Sequence, residues 1–280
     1  MSLCPPTACS VDPVWSGASM AQREREEFME TSYSAPFAQA YNQRWTGFVT
    51  MVGPKLRALY EATCPQGERS VLDVCCGTGQ LALQFLQAGY VIAGIDNSEP
   101  MLAHARINCA SFVSSGEASF TLSDASSFSM STRFGLAVAT FDALNHLAGI
   151  DELLSCFACV HRCLLPGGLF AFDVNTLAGL RRWNNITVED ALDAMVINRG
   201  MYDEERRQGR IRISGFVRQD SGAWLRFDET FVENVWPIRD IASALLETGF
   251  SAVYQARPTD LATPIADPES EPRVFFIARV

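Results

Sequence analysis

Three aspartates that close short apolar runs, together with one glycine turn, are the residues of this chain best suited to chemistry on a small ligand. Asp73 lies in Val71-Leu72-Asp73-Val74, and Cys75-Cys76-Gly77-Thr78-Gly79 follows, ahead of the apolar Leu81 and Ala82. Gly77 and Gly79 lack a Cβ, so backbone N–H groups there can approach a ligand closely. A carboxylate beside that turn repels a pyrophosphate and attracts an ammonium group, which suits a ligand with an amino-acid head. Asp96 ends the next run, Val91-Ile92-Ala93-Gly94-Ile95. It lies about 20 residues beyond the glycines, the spacing of a carboxylate that takes ribose hydroxyls. Asp124 follows Ser119-Phe120-Thr121-Leu122 and is placed to accept a hydrogen bond from an adenine amino group. Met101 and Leu102 lie between them and can pack on an adenine face.

These residues need elements to hold them. The run before Asp73 reads as a strand, the glycines as a turn and Leu81-Ala82 as the start of a helix, which puts a small-molecule site at the carboxyl end of a first parallel strand. Ser98 reads as an N-cap and Pro100 as an early residue of the helix after Asp96. Gly77 to Ala82 also fits the relaxed dinucleotide pattern G-x-G-x-x-G/A. Asp73 argues against a nicotinamide or flavin. So do Cys75 and Cys76, which sit where a dinucleotide turn usually has its first glycine.

Three acidic strand ends in order resemble the class I S-adenosylmethionine-dependent methyltransferases, roughly over residues 30–175 and again at the C-terminus. Phe134-Gly135-Leu136-Ala137-Val138-Ala139-Thr140-Phe141-Asp142-Ala143-Leu144-Asn145-His146-Leu147 resembles the fourth strand and its active-site loop. Leu164-Leu165-Pro166-Gly167-Gly168, followed by Leu169 to Asp173, resembles the turn into the fifth strand. The loop and the upstream Tyr33, Phe37, Tyr41 and Trp45 are similar to the small-molecule subgroup. One departure is the Cys75-Cys76 pair, where the family more often has a single Cys or Gly before Gly77; a small thiol should fit there. The resemblance implies an α/β, Rossmann-like, seven-stranded and mostly parallel sheet with helices on both faces. It implies S-adenosyl-L-methionine as cofactor. The residues expected to bind it are Asp73, Cys75, Gly77, Gly79, Asp96, Asn97, Met101, Asp124, Ala125 and Phe141, with Tyr33 and Tyr41 closing the site.

Composition narrows the partners. A chain of 280 residues with 48% hydrophobic content has ample material for one α/β core with an appendage. A net charge of −10 and no obvious basic face argue against nucleic acid. The place of an Asn/Asp-Pro-Pro-Tyr loop, as in DNA adenine methyltransferases, reads Thr140-Phe141-Asp142-Ala143. No apolar run is long enough to span a bilayer, and Met1-Ser2-Leu3-Cys4-Pro5-Pro6 does not resemble a signal peptide. Nine cysteines then read as reduced thiols, and the expected location is cytoplasmic. Cys156, Cys159 and Cys163 invite a metal reading, but they share one face of a helix over 151–165 and read as core thiols; no metal is expected.

Along the chain, residues 1–19 read as a disordered N-terminus, 20–31 as a charged helix, and 36–63 as a helical cover broken near Gly53-Pro54. The methyltransferase core, with its helical cover, is expected over 20–175 and 237–280. An inserted antiparallel β meander over 190–236 interrupts it, with strands at 194–202, 209–218 and 223–236. A helix over 238–248 follows, then strands at 251–255 and 274–280 that pair as a hairpin, with a loop over 258–272. The meander suits either a lid that walls a substrate pocket or an edge that pairs two subunits as a homodimer.

Methyl transfer from a sulfonium is an in-line displacement, so the protein mainly positions the nucleophile. His146, one of three histidines, is a candidate proton acceptor, or else a helix-start residue bonded to backbone. Asp142 is the second catalytic candidate, holding a cationic substrate or the cofactor's ammonium group. Tyr33, Tyr41, Trp45, Trp183, Trp224 and Trp236 either cage an amine or pack in the core. The expected activity is methylation of a small molecule, an amine ahead of a hydroxyl. A non-catalytic cofactor-binding protein and a nicotinamide oxidoreductase are the other readings.

Overall fold

The computed structural model describes residues 33–64 and 66–280; the segments 1–19 and 20–31 read above lie outside the described residues. Two helices come first, α1 (Ala35–Arg44) and α2 (Gly47–Thr63). The core then alternates as β1 (Ser70–Val74), α3 (Gln80–Gln87), β2 (Val91–Asp96), α4 (Glu99–Asn108), α5 (Ala110–Ser115), β3 (Ala118–Leu122) and β4 (Phe134–Ala139). A 3-10 turn (Ala143–His146), α6 (Ile150–Cys163), β5 (Leu164–Asn175) and the short α7 (Leu177–Leu180) complete this half. The remaining elements are β6 (Asn185–Asp190), β7 (Ala194–Asp203), β8 (Gln208–Arg218), β9 (Trp224–Asn234), α8 (Ile238–Glu247), β10 (Ala252–Arg257), β11 (Asp260–Pro264) and β12 (Arg273–Arg279).

The large sheet runs β11-β10-β12-β5-β4-β1-β2-β3. From β3 through β5 all pairs are parallel, while β12 is antiparallel to both β5 and β10. Continuous apolar runs explain the parallel part: every residue of β4 is buried, as strands covered on both faces require. The order reverses between β1 and β4, and a ligand crevice opens beyond the carboxyl ends of strands at such a point. One face of the sheet is closed by α6, whose Phe157 lies 5.4 Å from Phe172 and 6.0 Å from Phe170, ring centre to ring centre. Phe172 in turn stacks on Phe276 of β12 at 5.1 Å. Cys156, Cys159 and Cys163 are buried in this same core.

The doubly wound sheet and the inserted antiparallel sheet agree with the sequence reading, with three local differences. The sheet has eight strands, because β11 forms within the stretch read as a loop and pairs with β10 as an extra edge. The helical cover breaks at Trp45–Thr46, while α2 continues through Pro54. Gly53 explains this: a Cβ there would come within 2.3 Å of the Gln84 side chain, so the helix is held closely on α3 and tertiary packing outweighs the proline. The inserted sheet has four strands, not three, since β6 joins at its edge in antiparallel register with β7. All six β6 residues are exposed, so its sequence lacks the half-buried alternation that marks a strand.

The inserted sheet packs its inner face on α1. Phe37 and Ala40 meet Val196, Ile213, Phe227 and Phe231 in a third apolar cluster. Arg44 ion-pairs with Glu189 and Asp193, and the Ser34 backbone N–H donates to Glu229 Oε1 at 2.8 Å. Helix and inserted sheet thus form one roof above the carboxyl ends of the large sheet. Replacing Phe157, fully buried between α6 and the sheet, with Ala is expected to cost about 3–5 kcal/mol, read as a lower urea midpoint with an unchanged slope.

Candidate functional site

The turn after β1 is built on left-handed backbone at Cys75 (φ 57°), Gly77 (φ 54°) and Gly79 (φ 72°). Gly79 serves packing: a Cβ there would sit 3.0 Å from the Ala105 Cβ, so the glycine lets α3 and α4 approach. Gly77 donates its N–H to Asp96 Oδ2 at 2.8 Å, and Ser98 donates to Asp96 Oδ1 at 2.9 Å. The Asp96 carboxylate is therefore fixed across the tips of β1 and β2, with lone pairs left over for a further donor.

A cavity of about 680 Å³ opens above these tips and under the roof. Cys75, Gly77, Asp96, Asn97 and Met101 line it from the β1–β2 side, and Asp124 and Ala125 from the segment after β3. Tyr33 and Tyr41 line it from the roof, with Trp45 and Trp183. Phe141, Asp142 and His146 line it from the segment after β4. Asp73 and Gly79 stand behind the lining. Trp224 is exposed at the start of β9, and Trp236 donates to the Leu144 carbonyl at 3.1 Å, so neither reaches the cavity.

Asp73 is 2% exposed, and its Oδ2 has no hydrogen-bond partner. Burial, with Asp96 nearby, pushes its carboxyl up to about 8. A buried acceptor with nothing to accept from is costly unless a ligand or water supplies a donor. A ligand ammonium group meets that need, and the unobstructed backbone of Gly77 leaves room for it: a Cβ there would meet nothing closer than 3.9 Å. The residues present therefore fit S-adenosylmethionine.

The segment after β4 is held by a polar network that sequence reasoning did not single out. Asp173 at the end of β5 accepts the N–H groups of Phe141 (2.7 Å) and Asp142 (3.0 Å) and ion-pairs with Arg273 of β12. Asp142 accepts from Arg273 at 3.1 Å and from Asn175 Nδ2 at 2.6 Å. Asn175 Nδ2 also donates to Glu233 Oε2 of β9 at 2.8 Å. Asn145 bonds both the Asn175 backbone and the Asn234 carbonyl, at 3.0 and 2.9 Å. Burial raises Asp142, but Arg273 and a hydrogen bond from Glu233 outweigh it, so its carboxyl is held below the ordinary value. Burial and then Asp142 hold Glu233 well above the ordinary glutamate value. The available signal was Asp173 and Asn175, two polar residues closing an otherwise apolar strand.

His146 Nδ1 lies 2.8 Å from the Val232 carbonyl of β9. A carbonyl only accepts, so Nδ1 carries the hydrogen, and in the neutral ring Nε2 keeps its lone pair. The backbone bond expected as an alternative is present, but to the inserted sheet.

An acid-tipped parallel sheet with a glycine turn under a small roofed cavity defines a cofactor-dependent enzyme of Rossmann-like build. A methyltransferase domain family matches residues 71–168. The chain is 32% identical over 190 residues to a dTDP-3-amino-3,4,6-trideoxy-α-D-glucopyranose N,N-dimethyltransferase of Streptomyces venezuelae, covering 67% of this chain and 72% of that protein. It is 28% identical to a putative methyltransferase of Geobacillus sp., covering 76% and 85%. The fold superposes on an S-adenosylmethionine-dependent methyltransferase from Clostridium acetobutylicum with a TM-score of 0.67 at 21% identity, covering 87% of this chain and 97% of that one. The sugar N-methyltransferase KedS8 from Streptoalloteichus sp. gives 0.69 at 18% identity, covering 98% and 99%. The chain belongs to the class I S-adenosylmethionine-dependent methyltransferases, is of the small-molecule type and uses S-adenosyl-L-methionine as cofactor. Among the described residues no helix is long and apolar enough to cross a membrane.

Asp73 gives a pH prediction. Its folded value lies above the ordinary carboxylate value near 4, so its favourable contribution is complete below that range and is lost as pH rises through about 8. Asp73→Asn is expected to flatten the fall in melting temperature of the cofactor-free protein across this window and to weaken S-adenosylmethionine binding. Melting against pH and calorimetric titration measure the two effects.

Proposed function

We propose that the enzyme methylates the nitrogen of a small amine, with His146 as the group that receives the substrate proton. The supporting observation is the bond from Nδ1 to the Val232 carbonyl, which leaves Nε2 as the acceptor of a ring that lines the cavity. The cofactor supplies an electrophilic methyl group on a sulfonium. In this reading Asp73 neutralises the ammonium of its amino-acid part, Asp96 takes ribose hydroxyls, and Asp124 takes the adenine amino group beside Met101 and Ala125. Cys75, Gly77 and Asn97 shape the wall around it, and Gly79 sets the turn from behind. Tyr33, Tyr41 and Phe141 cover its aliphatic part.

The substrate amine lies between that part and the inserted sheet. His146 Nε2 takes a proton from the ammonium form, and the freed lone pair would then be available to the methyl group that the bound cofactor would supply. Asp142, ionised and near His146, stabilises the imidazolium that results. The aromatic rings of Tyr33, Tyr41 and Trp183 favour a cation before the proton leaves. The N,N-dimethyltransferase relative favours nitrogen over oxygen as the acceptor.

His146→Ala is expected to lower kcat about 10²–10⁴-fold on amines while cofactor affinity holds, as assayed with labelled S-adenosylmethionine over a panel of amines and phenols. Transfer to phenols alone would refute the nitrogen assignment.

The inserted sheet also supports pairing of subunits. Its edge strand β6 carries exposed Ile186 and Val188, and its outer edge has no partner strand among the described residues. Light scattering is expected to give twice the 30.8 kDa chain mass, falling to the chain mass in an Ile186→Lys, Val188→Lys variant. A monomeric wild-type protein would remove this part of the proposal.

A further inference from the structure

Glu233 is buried, lines the cavity, and is supplied by β9 of the inserted sheet rather than by the large sheet. Its Oε2 accepts from Asn175 Nδ2, the same nitrogen that serves Asp142. Among the described residues the cavity wall contains one cationic side chain apart from His146, Arg273, and that guanidinium is bonded to Asp142 and Asp173. Three carboxyl groups thus meet one guanidinium at this end of the cavity.

We propose that Glu233 is the residue by which this site selects an amine: its carboxylate receives the substrate's ammonium group and positions it between His146 and the methyl donor. This rests on the reading of the enzyme as an N-methyltransferase. The groups that act on Glu233 are Asp142 from the segment after β4, Asn175 at the end of β5 and Arg273 of β12, and His146 lines the same cavity. Tyr202 stands across the inserted sheet in the same row, since Tyr202 pairs with Gly209 and Gly209 with Glu233. None of these brings a positive charge to Glu233 that carboxylates do not already hold, except a protonated His146.

In the empty cavity Glu233 therefore keeps its proton and donates to Asp142, which leaves Asp142 and Asp173 set against Arg273. An entering ammonium supplies the missing positive charge. Glu233 then ionises, its proton goes to solvent, and the ammonium N–H groups bond to the carboxylate. One N–H proton next passes to His146 Nε2; with the cofactor bound, the freed nitrogen lone pair would form the N–C bond and the C–S bond would break with its electron pair on sulfur. A hydroxyl substrate cannot offset the charge of an ionised Glu233, so it meets only the neutral acid.

Glu233→Gln discriminates between this role and a purely structural one. The glutamine amide can accept from Asn175 and donate to Asp142, as the protonated acid does, so the network and fold are preserved. Wild type and variant, both loaded with S-adenosylhomocysteine, are titrated calorimetrically with benzylamine and benzyl alcohol in two buffers of different ionisation enthalpy. Wild type is expected to bind benzylamine with release of about one proton per site. The variant should bind it at least about tenfold more weakly with no release, while benzyl alcohol binds both alike. Equal benzylamine affinity in the two proteins overturns the role of Glu233 and leaves N-methylation standing. Binding of benzyl alcohol without benzylamine, or no benzylamine binding to wild type, overturns both.

Discussion

One buried carboxylate governs the shape of the segment after β4. Asp173 takes the N–H groups of Phe141 and Asp142 and the guanidinium of Arg273, and is completely enclosed. Phe141 and Asp142 both have left-handed backbone, at φ 68° and 54°, which is unfavourable by about 1–3 kcal/mol for each non-glycine residue. The two bonds to Asp173 hold that shape. The chain consequently leaves β4 with a sharp reversal that turns Phe141, Asp142 and His146 into the cavity, where an ordinary extended exit would carry them past it. Burial pushes the Asp173 carboxyl up to about 6, and Arg273, lying over the Phe48 and Phe141 rings, opposes that rise.

The inserted sheet is bound into the same system. Asn145 joins the segment after β4 to both β5 and the end of β9, and the Val232 carbonyl fixes the His146 tautomer. The insertion is therefore more than a cover. It orients the imidazole through Nδ1, while the large sheet supplies the acids at the other end of the cavity. Residues of the two sheets thus line one cavity.

How much of this was legible in the sequence follows from how far apart the interacting residues lie. The glycine turn, Asp96 and Asp124 were legible because strand, turn and helix are local patterns: Gly77 and Asp96 are only 19 residues apart. The alternation in β7 to β9 likewise revealed the meander, whose strands have one covered face. Arg273, by contrast, reaches Asp142 across 131 residues, and Glu233 reaches Asn175 across 58. In the sequence each is one charged residue at a strand end, with nothing nearby to mark it. The place of His146 beside the cavity was legible from the segment after β4, but its hydrogen-bond partner on β9 was not. Strand β6 escaped because it is exposed on both faces, and β11 because its short run sits among prolines and aspartates.

The bond between Ser34 and Glu229 spans 195 positions of the chain, and Arg44 reaches Glu189 across 145. A growing polypeptide that has completed β1 through β5 holds every acid assigned to the cofactor, and Asn42 of α1 can already accept from Gln80 and Asn108, yet the other side of α1 has nothing to close upon. Its apolar face, with Phe37 and Ala40, must wait for the β7–β9 strands to emerge. Chain closure over such a separation adds entropy cost only slowly with length, so the long wait is a matter of timing more than of stability. During synthesis the apolar face of α1 thus stays unmet until those strands emerge, and the cavity is roofed only near the end.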